Sequence, residues 1–596
     1  MESSTPRILR TIGATAMAAC ILLLADCSKQ PNAAAPAAPA SPAVPPPPPP
    51  PAPEPFTGTL PEVEGVQAII TMRHPKLVNQ DLGKLVAGVP EAALLRMALA
   101  RFSALGYPEF SDLAPGSNIG VAVLTITADD LRNKSSALVG FARLKEGGKL
   151  WRIVAGNHLA HVRAGDWVLI AKDYAVLGRL KDPNPIIAYL EKPQIEDIVL
   201  WGRTSPELLS SIKAAFGPDL RAKLEELKPA EAHAAIGYLK ALYSMASQLH
   251  SAGISLTFAD SAIKLVDSAQ FLPDSPLGVY LRYKPGPTPG IAQHVSANSV
   301  ATFVSRRTPK ATADLAQALL EPLLAVDYPP AARRLRELGK SYAAFAENSD
   351  GGCVGVVDMA PGISATNGPK KSAAETFAVI SGHFTTETAR AYMKGIRDLT
   401  EGVLKKIQSK VAASHGVNAM DIHFGFTENA VTVSGHAFDA FTTTILVNGR
   451  EVSEKTQYSG VAEGNLIIAD SQEALQAHLP ALLSKIPLPD GIAGLQGDDI
   501  AFGSLNGGKF VDAVAVGAKL DLNDEDTEAE IDSLKGDFAA GGPVTFAVAA
   551  SQARSTVTIT VPYKLIETSV HLAEYIRVQK IDLSSMLGGT AAPARP

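Results

Sequence analysis

The side chains of this sequence that could do chemistry are few, and they include only one close pair of histidines. His158 and His161 are three positions apart, so on a helix both rings could bind one metal ion. The flanking residues 151–154 and 162–163 instead predict strands on either side of a turn, and no acidic ligand stands nearby. We therefore predict no metal site at this pair.

A serine and a lysine, Ser210 and Lys213, have the Ser-x-x-Lys spacing of penicillin-binding enzymes. Residues 296–298 would supply a Ser-x-Asn element, but the sequence contains no Lys-Thr-Gly. Ser210 also falls inside a predicted helix rather than at its first turn. Neither Gly-x-Ser-x-Gly, His-Glu-x-x-His nor paired Cys-x-x-Cys occurs, so we predict no catalytic residue and no cofactor.

Basic residues stand at each predicted strand-to-helix turn, namely Arg73, Arg203, Arg306 with Arg307, and Lys509. The first three turns have a proline nearby, which suits the opening turn of a helix. Because helix N-termini attract anions, these residues are candidate ligands for a phosphate or carboxylate group. The alternative is that they are ordinary surface charges.

The N-terminus has the parts of an export signal. Arg7 and Arg10 precede an apolar stretch of 15 residues, 11–25, shorter than the roughly 20 that span a bilayer. The run Leu24-Ala25-Asp26-Cys27 resembles the lipobox of bacterial lipoproteins, with Asp26 where that class usually has Gly, Ala or Ser. The resemblance implies that residues 1–26 are removed and that Cys27 is lipidated. An ordinary secreted protein or an uncleaved signal anchor is the alternative.

The residues after Cys27 predict where the protein is held. Ser28 follows the cysteine directly, and a serine at this position resembles the pattern of lipoproteins that are sent to an outer membrane. We therefore expect the protein to lie on the periplasmic face of the bacterial envelope, anchored in the outer membrane. Residues 31–61 contain 14 prolines, and a polyproline II spacer of ~3.1 Å per residue would reach about 100 Å. We assign 27–62 to this disordered linker and 581–596 to a disordered tail.

Composition excludes some classes of protein. The net charge is −6, without the basic surplus that nucleic-acid binding requires. After cleavage only Cys27 and Cys353 would remain, so no disulfide framework or cysteine metal site is expected. Cys353 is predicted to be a buried, inert thiol. No later apolar stretch reaches 18 residues without charge or proline, so we expect membrane contact through the N-terminal lipid.

Three pairs of segments are similar and keep the same order along the chain, which indicates an internal duplication. Residues 68–76 match 302–310, residues 165–171 match 464–469, and residues 197–202 match 499–503. We predict two homologous modules, 63–290 and 291–580. The second has an extra segment of about 60 residues within about 311–460.

Alternating apolar residues predict antiparallel hairpins at 254–265, 422–433 and 544–560, the second turning near Glu428. Helical spacing predicts helices at 206–216, 230–250, 312–324, 386–413 and 527–534, with a break at Gly217-Pro218. We therefore predict an α+β fold of two tandem modules with antiparallel sheets and packed helices.

These observations favour a non-enzymatic, lipid-anchored envelope protein whose duplicated modules form a binding or scaffold body. Its expected partners are the membrane, through the lipid, and an envelope protein or an apolar ligand, but no nucleic acid. Two alternatives stay open. One is an envelope hydrolase with an active site between the modules, and the other is a carrier of amphiphiles or lipids.

Overall fold

A computed structural model describes residues 63–78, 112–315, 342–359, 374–415, 421–509 and 532–565, with short gaps inside these ranges. Within them, 18 strands form one sheet. The strands are β1 (Val66–Met72), β2 (Ile119–Leu124), β3 (Leu138–Ala142), β4 (Ala160–Ala164), β5 (Trp167–Ala171), β6 (Ile198–Arg203), β7 (Leu249–Phe258), β8 (Ala262–Phe271), β9 (Ala301–Arg306), β10 (Ser349–Met359), β11 (Ala374–Gly382), β12 (Asp421–Val433), β13 (His436–Val447), β14 (Arg450–Ala462), β15 (Asn465–Ala469), β16 (Asp499–Leu505), β17 (Val544–Ser551) and β18 (Arg554–Pro562).

The helices begin where short polar side chains and prolines favour it. Ser205 accepts a hydrogen bond from the backbone N of Leu208 at 3.1 Å, and Ser471 from that of Ala474 at 2.9 Å. Such caps contribute about 1 kcal/mol each. The helices are α1 (Ala128–Asn133), α2 (Lys149–Gly156), α3 (Tyr174–Gly178), α4 (Asn184–Leu190), α5 (Pro206–Glu225), α6 (Pro229–Gln248), α7 (Pro276–Arg282), α8 (Thr386–His415) and α9 (Gln472–Leu483), with a 3₁₀ turn at Gly290–His294. Of the helices described, none has the length and apolar character that crossing a membrane requires.

The strands follow one another across the sheet in the order β4-β5-β3-β2-β1-β6-β7-β8-β18-β17-β16-β9-β10-β11-β15-β14-β13-β12, and every neighbouring pair is antiparallel. The predicted combination of helices with antiparallel pairing is confirmed. One sheet runs through both halves of the chain, because β8 pairs with β18.

One face of the sheet carries the two largest cores. In the first half, Ile186 and Leu190 of α4 pack with Ile69 and Phe141 of the sheet. In the second half the equivalent cover is α9, whose buried residues pack on β9, β11 and β15 in a cluster that includes Leu475, Leu479, Val304, Phe377 and Ile467. Each fully buried side chain of this size contributes about 1.5–3 kcal/mol. These cores fix both ends of the long sheet.

The opposite face is covered by segments that cross between the halves. Helix α7 follows β8, yet its Leu277 and Tyr280 pack with Val548 of β17. Conversely, Tyr563 follows β18 and packs with Met72 and Phe258 at the other side. Each half of the chain therefore covers strands of the other half.

A single row of opposite residues crosses the eight central strands and shows how regular their register is. From β1 to β9 the row is Ile70, Leu200, Ile254, Asp267, Val557, Val548, Ala501 and Ser305. Reading outward from the central β8 and β18, the strand order in the two directions corresponds step by step. The registers are therefore consistent with an approximate two-fold axis between Asp267 and Val557.

Four local predictions are wrong. Cys353, predicted to be buried, is half-buried in β10. Residues 151–154, predicted as a strand, lie in α2. The hairpin predicted at 422–433 is one strand, β12, because the irregularity between Thr427 and Val431 is a bulge with Asn429 at φ 49°, and β13 supplies the partner.

The helix break predicted at Gly217-Pro218 is also wrong, because α5 continues through it. Pro218 has no N–H to donate to the carbonyl of Ala214. Arg132 Nη2 donates to that carbonyl instead, at 2.9 Å. The predicted helices at 312–324 and 527–534 lie mostly outside the described residues, as do Cys27, the linker and the tail.

Candidate functional site: the hairpin extension of the second half

Arg73, the first candidate anion ligand, forms an ion pair with Asp197, whose side chain is fully buried. The backbone N of Phe258 donates to the same carboxylate at 2.6 Å, and Arg73 N donates to the carbonyl of Asp197 at 2.9 Å. A buried carboxylate needs such partners, because removing a charge from water is costly. Arg73 therefore joins the end of β1 to the start of β6.

Of the other candidate residues, Arg306 and Arg307 contact neighbouring parts of the fold. Arg306 donates to the carbonyls of Asp499 and Gly497, at 2.9 and 2.7 Å. The Arg307 guanidinium lies 5.9 Å from the Tyr280 ring centre. Arg203 is half-buried at the end of β6, and Lys509 is exposed beyond β16.

The structure brings together only Arg306 and Arg307, which are neighbours in sequence. Arg73 and Arg203 end adjacent antiparallel strands, so they lie at opposite ends of the sheet. Arg203 and Arg306 lie at the same end of their strands, but five other strands lie between β6 and β9. At a strand spacing of ~4.8 Å, the two residues are about 29 Å apart across the sheet. These residues do not form one anion site.

A second cluster joins a serine, an aspartate and a histidine. Ser299 Oγ donates to Asp358 Oδ2 at 3.1 Å, and His478 Nε2 lies 3.1 Å from the same oxygen. Burial raises the pKa of the Asp358 carboxyl, whereas the hydrogen bonds from His478 and Ser299 lower it. The hydrogen bonds together have the larger effect, so the pKa of Asp358 lies below its usual value. The hydroxyl contacts the carboxylate instead of the imidazole, so this arrangement does not activate a nucleophile.

The second half differs most from the first between its third and fourth matching strands. In the first half, β3 and β4 are joined through α2, a helix of 8 residues. In the second half, β11 is followed by α8, of 30 residues, and by the extra strands β12 and β13 before β14. We call α8, β12 and β13 the extension.

Arg390 fastens the extension at one end. Its Nε and Nη2 each donate to Asp439 of β13 at 2.7 Å, and Nη1 lies 3.1 Å from Glu428 of β12. The backbone N of Asn429 adds a bond to Asp439 at 2.8 Å. Burial raises the pKa of the Asp439 carboxyl, but these bonds and the Arg390 charge lower the pKa more, and it lies below its usual value.

Aromatic rings and cations hold the rest of α8 along the hairpin. The Arg397 guanidinium lies 3.7 Å from the centre of the Phe426 ring, and Lys405 Nζ lies 5.5 Å from that of Phe424. Phe424 stacks on Phe441 of β13 with the ring centres 6.1 Å apart. Such cation–ring contacts contribute about 0.5–1 kcal/mol each when exposed. Helix α8 therefore runs along β12 on one face.

The other face and the outer edge of β12 are open. His423, Gly425 and Thr427 alternate along the strand and are exposed, whereas exposed Asp421 at the start of the strand accepts a hydrogen bond from Gln408 of α8 at 2.7 Å. Phe426, on the α8 side, is still 44% exposed. In the part of the chain that the structure describes, β12 pairs only with β13. The extension thus presents a strand edge beside a helix that carries cations.

The residues of the extension were not predicted as site residues. The long helix was predicted, and so were apolar alternation at 422–426 and extra length in the second half. No pattern in the sequence pairs Arg390 with Asp439, because the two come together only after β12 has turned into β13.

No group of three or more His, Cys, Asp or Glu side chains that could hold a metal occurs within the described ranges. Comparisons with protein-family models, with curated proteins and with solved structures find no match to this chain.

Proposed function

We propose that this chain is a lipid-anchored protein of the bacterial envelope, attached through Cys27 and a proline-rich spacer, whose two modules form a non-enzymatic binding body. The anchor rests on the lipobox-like Leu24-Ala25-Asp26-Cys27 and the prolines that follow. The spacer would hold the modules about 100 Å from the membrane. There they would meet a partner in the periplasm.

The proposal of two modules, 63–290 and 291–580, is supported by the register of the sheet. Buried Ile69 lies opposite Trp201 and Ala122, and Val304 lies opposite Phe502 and Val354 in the same relation. This places Trp201-Gly202 in correspondence with Phe502-Gly503, as the similarity of 197–202 to 499–503 predicts. A duplicated unit explains the strand order and this match, whereas the similarity of 68–76 to 302–310 aligns Ile69 with Phe303, one residue from Val304.

The observation that carries the binding function is that the second half alone has the extension. Features present in both halves are explained by shared ancestry, whereas an addition to one half indicates an acquired role. The charged groups that fasten the extension, Arg390 with Asp439 and Glu428, join its elements to each other. Its open strand edge and exposed polar face suit contact with another molecule better than turnover of a substrate.

Two measurements test this function. Cells labelled with a fatty-acid analogue should show label on the wild-type protein and on Cys353→Ala, but not on Cys27→Ala.

The second measurement is cross-linking. A photoreactive amino acid placed on the extension, at exposed Lys394 of α8 or at His423 of β12, should cross-link the anchored protein to an envelope protein. The same photoreactive amino acid placed at Val162 of β4 should not. Turnover of peptidoglycan fragments or phosphoesters, abolished by one Ser, His or acidic substitution, would contradict the proposal.

A second candidate, an amphiphile carrier, is favoured by apolar side chains on one face of the first half. Leu138, Leu200 and Ile254 are 42%, 43% and 45% exposed, and apolar surface of this kind often marks a binding site. Mass spectrometry of protein purified from membranes should then find bound lipid that is lost in Leu200→Ser with Ile254→Ser. Leu272→Ser, at an equally exposed leucine elsewhere, is the control.

A further inference from the structure

The two edges of the sheet differ in a way that concerns partner binding. Exposed edges attract unwanted strands, so proteins keep them short or place charges and prolines on them. Strand β4 has 5 residues, lies between His158 at φ 53° and Gly165 at φ 62°, and carries Arg163. Strand β12 has 13 residues with neither lysine nor proline, and its acidic residues, Asp421 and Glu428, and its bulge flank the run 422–427. The β4 edge is therefore better protected than the 422–427 part of the β12 edge.

The part of β12 able to accept another strand is Asp421–Thr427. These seven residues pair with β13 without interruption, and the register shifts only after Thr427. At ~3.4 Å per residue the segment is about 24 Å long. An added strand of six to eight residues would match it.

Helix α8 gives this edge its chemical preference. Arg397 and Lys405 lie over the rings of Phe426 and Phe424, on the side where alternate residues of an added strand would point. Arg390, Lys394 and Lys405 each form an ion pair with a carboxylate, at 3.1, 2.9 and 3.3 Å. No such pair involves Arg397 among the residues that the structure places. Arg397 acts on the Asp439 carboxyl only through its charge, and a carboxylate on the incoming strand would give it a direct ion pair.

We propose that the Asp421–Thr427 edge binds an extended segment of another protein by strand addition, with carboxylates at alternate positions facing Arg397 and Lys405. This proposal rests on the proposed binding function. It adds which surface of the protein binds and what chemistry the partner has. Backbone hydrogen bonds to the strand would supply affinity, and the side chains beside α8 would supply specificity.

A second copy of this chain fits the edge less well. Two β12 strands would pair antiparallel about a two-fold axis normal to the sheet, which keeps both α8 helices on the same face. Each copy would then bring its own Lys405 and Arg397 toward those of the other, and like charges across an interface oppose association. The charges therefore favour an acidic segment of a different protein.

The test uses the full-length protein in detergent and two fluorescent octapeptides with blocked ends, one alternating Glu and Val and the other alternating Lys and Val. Fluorescence anisotropy should show binding of the Glu-Val peptide at least fivefold tighter than that of the Lys-Val peptide. Hydrogen exchange should show protection of residues 421–427 only when the Glu-Val peptide is bound. Arg397→Glu should reverse the preference, and Arg163→Glu at the β4 edge should leave it unchanged.

Because charge reversal beside Phe426 could disturb the fold, Arg397→Gln is measured as well, and it should weaken the preference while lowering the unfolding temperature by less than about 2 °C. Three results would overturn the inference: no binding up to 1 mM peptide, a preference insensitive to both Arg397 variants, or protection of 421–427 by self-association in sedimentation experiments. If the peptide tests fail but a photoreactive amino acid at Lys394 still cross-links to an envelope protein, the strand-addition proposal is wrong and the proposed binding function is retained. Loss of every cross-link would remove that function too.

Discussion

At the scale of single residues, the charged groups of this protein act mainly in pairs that the sequence does not reveal. Arg73 was a candidate anion ligand because it stands at a strand-to-helix turn beside a proline. Its partner Asp197 stands far along the chain at the start of β6, and the two meet because β6 pairs with β1. A pattern of neighbouring residues cannot contain that contact, so the position of Arg73 was predicted and its role was not.

Asp197→Ala should lower the free energy of unfolding by about 3 kcal/mol, because it leaves the Arg73 charge without its buried partner. Asp166→Ala is the matched control, since Asp166 is 82% exposed and its pair with Arg143 is at the surface. That change should cost less than ~1 kcal/mol. Urea unfolding followed by tryptophan fluorescence measures both, and equal costs would show that the burial of Asp197 contributes nothing.

The stabilisation by Asp439 should depend on pH. Its bonds with Arg390 hold the pKa of the folded state below the ordinary value, which is about 3.9 in the unfolded chain. The stabilisation is therefore fully present above that value and is lost as the pH falls through the folded-state pKa. The difference in unfolding temperature between wild type and Asp439→Asn should be largest near pH 7 and shrink towards pH 3. A constant difference would refute the assignment.

At the scale of elements, periodicity predicted most helices and strands but not their boundaries at special residues. The alternation in 422–433 correctly indicated β structure. Glu428 and Asn429, however, resemble a turn in sequence and form a bulge in β12, because β13 continues to pair on both sides of them. Pro218 resembles a helix break and is tolerated because Arg132 supplies the missing donor. In both cases a distant element decided the local structure.

The contact between β6 and β7 should be sensitive to a single methyl group. A Cβ at Gly253 would lie 1.9 Å from Cε3 of Trp201, and Trp201 is fully buried. Gly253→Ala should therefore destabilise the protein by about 1–3 kcal/mol through overpacking. Gly202→Ala, where the new Cβ would lie 3.5 Å from that of Ala68, is the control and should cost much less. Thermal unfolding compares the two, and similar midpoints would contradict the packing argument.

At the scale of the whole molecule, the proposed modules are not two separate bodies. Strand β8 has β18 as its neighbour, and α7 covers strands that belong to the second half. Sequence similarity predicts the bounds of the two proposed modules, but it carries no information on how they join. They join through strand edges that each proposed module would expose by itself.

The two halves made separately, as residues 28–290 and 291–596, should each aggregate or remain incompletely folded. Each would expose a bare central strand and apolar surface that the other half normally covers. Co-expression should yield a soluble complex of the two pieces. Size-exclusion chromatography and thermal unfolding decide the matter, and two monomeric, cooperatively unfolding pieces would disprove the interdependence of the halves.

The pairing of β8 with β18 also sets the order of events in folding. Asp267 and Val557 face each other although about 290 residues separate them along the chain. During synthesis, β8 must wait for almost the entire remaining chain before its neighbour exists. Contacts between such distant residues slow folding, and an unpaired strand is prone to aggregation while it waits. We therefore expect the nascent chain to depend on chaperones until its last strand has been delivered.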